Sequence, residues 1–85
     1  MTREEIQAKL VALAAEQAGV KPDEVTPATN FITDLEFDSL DLVEYAMEVE
    51  DAFPVRVKDQ KLDDLQTIAD AVDLVARQMN VSPAK

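Results

Sequence analysis

Eighty-five residues make one small domain, with room for a single modest core and none for a deep cleft between subdomains. Eighteen acidic residues against eight basic ones leave a net charge of −10, which argues against the basic patches that nucleic acids and anionic membranes require and points to partners with basic surfaces. With no cysteine and no histidine, the chain has no disulfide, no thiolate nucleophile, no zinc-thiolate site and no imidazole base.

Helix one is expected over about residues 3–17. Thr2 with Glu5 makes a capping box, and Ile6, Leu10, Leu13 and Ala14 recur at helical spacing before Gly19, the only glycine. No apolar run of signal-peptide length opens the chain, and no stretch approaches the roughly 20 apolar residues of a membrane span, so the expected location is the cytoplasm.

From Val20 to Asp38 the prolines Pro22 and Pro27 and the clusters KPDE and TPATN break the periodicity. Phe31, Ile32, Leu35 and Phe37 are expected to pin this long loop to the core, and loops of such length are often functional.

Asp38 offers an N-cap to a second helix over about 39–53, followed by Pro54. Its apolar positions form two adjoining rows, Leu42, Ala46, Val49 and Phe53 beside Leu40, Val43 and Met47, which together predict one wide buried face. Val55 and Val57 flank Arg56 in an extended connector, and a short helical turn is expected near 59–64. Thr67 and Asp70 repeat the capping pattern ahead of a final helix over about 67–80, with Ile68, Val72, Val75 and Met79 inward and a frayed VSPAK tail. The sum is a single all-α domain over 1–85, a small three- to four-helix bundle with a long first loop.

Function concentrates in DLEFDSLDLVE, where Ser39 stands among Asp34, Glu36, Asp38, Asp41 and Glu44. Asp41, Glu44, Glu48 and Asp51 are spaced by three, four and three residues, which places them on one stripe of helix two. Glu44 with Glu48 is a like-charge pair costing roughly 0.2–0.5 kcal/mol, which weighs toward a recognition surface over simple solvation. Asp34, Glu36 and Asp38 match the first three ligand positions of a calcium loop, but Ser39 and Tyr45 replace its required glycine and bidentate glutamate, so no metal site is expected. Ser39 is not a nucleophile either, since acids around a hydroxyl oppose its deprotonation and no base adjoins it in sequence. It is better read as a substrate, at a helix start whose free N–H groups favour an attached phosphate.

The stretch DLEFDSLDLVEYAMEVEDAF resembles the modification site and second helix of the acyl carrier protein family, whose signature is a D-S-L serine opening an acidic helix. The GVKPDEVTPATNF loop, the valine pair after Phe53 and the QTIADAV opening of the last helix fit the same family, so the resemblance covers nearly the whole chain. It implies a non-enzymatic carrier, acting as a monomer in fatty-acid, lipid or polyketide biosynthesis. Ser39 would hold a 4′-phosphopantetheine arm placed there by a phosphopantetheinyl transferase, and the arm's thiol would hold acyl groups as thioesters.

By the same resemblance, Asp38 would help align the transferase at Ser39, and Leu40 would contact the region of the arm. Asp41, Glu44, Glu48 and Asp51 would face basic patches on acyl-transferring and condensing enzymes, and Met47 would either join those contacts or pack in the core. Phe31, Leu42, Val43, Ala46, Ile68 and Val72 would line the acyl-chain pocket, where ordinary core packing is the competing reading. Two positions depart from the family pattern. Glu36 replaces a common glycine two residues before Asp38, and Val57, Lys58 and Asp59 replace a common I-P-D. The rival reading is an acidic helical adaptor in which Ser39 receives only phosphate.

Overall fold

A computed structural model describes residues 2–80, so the VSPAK tail lies outside the described residues. Three α-helices carry the fold, α1 (Arg3–Ala18), α2 (Ser39–Ala52) and α3 (Ile68–Gln78). Two short 3-10 helices, Pro22–Glu24 and Asp59–Asp64, sit in the connections. Among the described residues there is no strand beyond one isolated bridge between Asn30 and Thr67, which makes the all-α expectation correct. No described helix is long and apolar enough to cross a membrane.

Each α-helix starts on the same device. Thr2, Asp38 and Thr67 accept a hydrogen bond from the backbone N–H three residues on, while Glu5, Asp41 and Asp70 accept from the cap residue's own N–H. These boxes satisfy donors that a helix start leaves unpaired, which fixes the three boundaries. The cap also stabilises Glu5 as a carboxylate: the backbone N–H of Thr2 lowers its pKa from the ordinary value. At the other end of α1, Gly19 adopts φ 75° and closes the helix in the left-handed conformation that glycine takes without strain.

The core gathers Ile6, Leu10, Ala14 and Ala15 of α1, Leu42, Tyr45, Ala46 and Val49 of α2, and Ile68, Ala71, Val72, Val75 and Ala76 of α3. Phe31, Phe37, Phe53, Val55 and Leu65 close it from the connections. The expected wide buried face of α2 is corrected here. Only one row turns inward, and Tyr45 completes it; Leu40, Val43 and Met47 are 64%, 37% and 59% exposed. A helix with one neighbour surface can bury an arc of about 100°, and the second row falls outside that arc. Ile32 is likewise exposed rather than pinned to the core, Leu35, Leu13 and Met79 are half-buried, and Val25 is a core residue that the broken periodicity of its loop conceals.

Tyr45 is fully buried, and its hydroxyl donates to the Leu10 carbonyl at 2.9 Å, tying α2 to α1. Burial pushes its pKa well above the ordinary value near 10, and the nearby charge of Glu48 adds to the shift. Because the folded-state pKa is raised, the stabilisation is complete below pH 10 and is lost progressively above it, where only the unfolded chain can ionise the ring. The protein is therefore expected to unfold in alkali with tyrosinate absorbance appearing together with loss of helix. With a single tyrosine and no tryptophan the signal is unambiguous, and ionisation that precedes unfolding would contradict the buried hydroxyl.

Candidate functional site

The segment before α2 is built to hold Ser39 in place. Asn30 organises its first turn, its Oδ1 accepting from the N–H groups of Ile32 and Thr33 at 2.8 and 3.0 Å while Asp34 Oδ2 accepts from the Asn30 N–H at 2.7 Å. Phe31 then stacks on Phe37 with centroids 5.8 Å apart, and both rings meet Tyr45, at 4.9 and 6.3 Å. The Phe37 N–H also donates to the Phe31 carbonyl at 2.9 Å. Such packing fixes the chain two residues before Ser39, since buried rings have little freedom to move.

Asp38 and Asp41 close the reciprocal cap with bonds of 2.9 and 3.1 Å. Gln17 of α1 donates to the Asp41 carbonyl at 2.7 Å, so the first turn of α2 is held from behind as well. Ser39 is the first residue of α2 and is exposed, with its hydroxyl at the positive end of the helix dipole. The site is a rigid, accessible hydroxyl beside unpaired first-turn amides, which suits a phosphodiester link.

Between the anchored Phe37 and Leu35 stands Glu36 at φ 60°. The left-handed region costs a residue with a Cβ roughly 1–2 kcal/mol, and the departure from the family's glycine thus falls at the position that favours glycine most. Glu36→Gly is expected to stabilise the fold by about 0.5–1 kcal/mol, the relief of strain being partly offset by the freer unfolded chain. Urea denaturation checks this, and an unchanged or lower midpoint would show that the exposed glutamate side chain compensates for its backbone.

The sequence-predicted recognition residues fall on one surface. Glu44 and Asp51 are exposed, Asp41 and Glu48 are half-buried, and Asp41 spends one carboxylate oxygen on the cap. Leu40, Val43 and Met47 follow at helical spacing as a second, apolar row beside the acids. Of the predicted acyl-chain pocket, Phe31, Leu42, Ile68 and Val72 meet in the core and Ala46 is buried, whereas Val43 projects with the exposed row. Tyr45, which neither apolar row includes, belongs with the interior set. Its place three residues after Leu42 and four before Val49 is the signal that reveals it. Among the described residues no group of three or more acids is arranged to hold a metal ion, and Asp34, Asp38 and Asp41 bind backbone amides instead.

Comparison with known proteins supplies an independent view. Residues 8–75 match the family model described as a phosphopantetheine attachment site. An acyl carrier protein of Rubrobacter xylanophilus is 47% identical over 75 residues, covering 88% of this chain and 93% of the relative. A meromycolate extension acyl carrier protein of Mycolicibacterium smegmatis is 39% identical over 82 residues, covering 96% and 83%. Among solved structures, the acyl carrier protein from Enterococcus faecalis superposes with a TM-score of 0.77 at 31% identity, covering 91% of this chain and 98% of that one.

Proposed function

The chain belongs to the acyl carrier protein family, and from that premise we propose that the Ser39 hydroxyl is where a transferase attaches 4′-phosphopantetheine from coenzyme A. The protein is a carrier in lipid biosynthesis and not an enzyme. One observation carries the assignment of the site: the exposed hydroxyl of Ser39 opens α2 directly after the Asp38–Asp41 cap and the buried Phe37, which fix the backbone on either side of it. When attached, the arm supplies a terminal thiol that holds acyl groups, which accounts for thiol chemistry in a chain without cysteine.

The chain's own residues then divide the work. Asp38 keeps the serine at the helix start, and the first-turn amides favour the phosphate's negative charge. Leu40, Val43 and Met47 present the apolar part of a docking face, and Glu44, Glu48 and Asp51, with Asp41, present its charge. Acyl-transferring and condensing enzymes with basic surfaces are the partners this face suits. Exposed charge pairs contribute only about 0–1 kcal/mol each, so they speed and select encounters without making release slow. A shuttle that visits several enzymes needs that balance. The chain acts as a monomer in the cytoplasm on this reading, and the names of the meromycolate extension relatives favour a chain-extension pathway of lipid biosynthesis over a polyketide one.

Phe31, Leu42, Ala46, Ile68 and Val72 shelter the acyl chain between the helices. To test the carrier role, the protein is incubated with octanoyl-coenzyme A and a broad-specificity transferase, then treated with neutral hydroxylamine. Wild type should gain the acylated arm and lose only the acyl group to hydroxylamine, as a thioester does, while Ser39→Ala gains nothing. Equal loading of both proteins would overturn the site.

A further inference from the structure

The three helices are not equally joined. α1 packs most extensively on α3 and next on α2, whereas α2 and α3 approach each other least. Among the described residues no hydrogen bond joins α2 directly to α3. α3 is instead fixed at its start by the first loop, through Ile68 N–H to the Thr29 carbonyl at 3.1 Å and Ala69 N–H to the Pro27 carbonyl at 3.0 Å. At its other end it holds the connector that follows α2: Gln78 accepts from the Arg56 N–H at 2.9 Å and donates to the Arg56 carbonyl at 2.6 Å, gripping one residue as a neighbouring strand would. From the α2 side, Glu50 accepts from the next N–H, that of Val57, at 2.7 Å.

The connector is thus a strap held by one side chain from each helix, and its Phe53 and Val55 seal the core beneath. An open groove of about 340 Å³ lies between Asp64 and Leu65 on one side and Asp70, Asp73, Leu74, Arg77 and Gln78 of α3 on the other, so Gln78 borders open space. The interior residues that would shelter a cargo are closed off from solvent, with Phe31 and Ile68 at 0% exposure and Val72 at 1%, and a buried core is ordinarily close-packed. Admitting a chain into so dense a core requires two helices to part, and the α2–α3 seam has the least packing to lose.

Resting on the reading that the cargo is buried between the helices, we propose that Glu50 and Gln78 form a latch that releases when α2 and α3 separate around an acyl chain. They are positioning residues: they touch neither arm nor cargo, but their release offsets part of what burying the chain contributes. The latch should therefore stabilise the empty carrier and be absent from the loaded one.

The experiment compares arm-bearing and octanoylated forms of wild type, Glu50→Ala, Gln78→Ala and the double variant by melting temperature. Loss of the latch should lower the midpoint of the unacylated form by about 5 °C. The octanoylated midpoints should converge on that of octanoylated wild type, and Glu50→Gln, which keeps an acceptor for the Val57 N–H, should restore most of the wild-type behaviour. Amide exchange gives a second readout. In wild type, octanoylation should accelerate exchange at Arg56 and Val57. Equal lowering of both forms, or unchanged exchange at those two amides, would overturn the latch while leaving the carrier reading intact. If octanoylation does not stabilise even the wild type, buried cargo and latch fail together, and if no arm is attached at Ser39, the site itself fails.

Discussion

Replacing Glu44 and Glu48 by lysine is expected to lower the kcat/KM of an acyl-transferring or condensing partner for the loaded carrier by about tenfold or more, because electrostatic steering changes association rates by 10–10³. The two positions lie one turn apart on α2, Glu44 exposed and Glu48 half-buried, and neither has a hydrogen-bonding role among the described residues. The substitution should therefore leave the fold in place. Two lysines one turn apart repel as two glutamates do, so the pair itself leaves stability nearly unchanged. Attachment of the arm to Ser39 should change far less than partner turnover, because the cap formed by Asp38 and Asp41 is untouched. The wild-type rate should fall steeply with added salt and the variant's should not, since the Debye length is about 10 Å at 0.1 M. Equal turnover of the two proteins at low salt would remove the acidic face from partner recognition.

The second large effect contrasts neighbours. Phe31→Ala should cost about 3–5 kcal/mol, and Ile32→Ala within about 0.5 kcal/mol. Phe31 is 0% exposed and packs between Phe37 and Tyr45, so truncation leaves a cavity that the rings around it cannot fill without moving the segment that holds Ser39. Ile32 is 46% exposed. Against a total of roughly 5–15 kcal/mol for a domain, the Phe31 variant would be partly unfolded or close to it. Urea midpoints of the two variants decide the matter, and similar losses from both would mean that Ile32 is packed more tightly than its exposure allows.

That pair shows where the sequence is legible and where it is not. The helix starts were readable because Thr2, Asp38 and Thr67 each stand three residues before an acid, a local pattern whose hydrogen bonds close within one turn. Gly19 was readable for the same reason. Leu40, Val43 and Met47 were not, because two adjoining apolar rows on a helix look alike until a third body shows which row it covers. In the first loop no period exists at all, so nothing local separates Phe31 from Ile32 or marks Val25 as buried. The site was legible through Ser39 and its flanking acids, while its support by Gln17 and Tyr45 depends on contacts between segments 24 and 35 residues apart. Glu36 lies between these cases. The sequence identifies it as a departure from glycine, and only the backbone shows that the glycine conformation is kept, at φ 60°.

The central claim, that Ser39 carries the arm, is tested most directly by intact-protein mass spectrometry. Wild type and Ser39→Ala are each incubated with coenzyme A and a broad-specificity phosphopantetheinyl transferase. The account predicts a mass increase of one phosphopantetheine on wild type and none on the folded variant. No increase on a folded wild type, or a gain of phosphate alone when the protein is taken from cells, would contradict it and return the phosphoserine adaptor as the better description of this acidic helix.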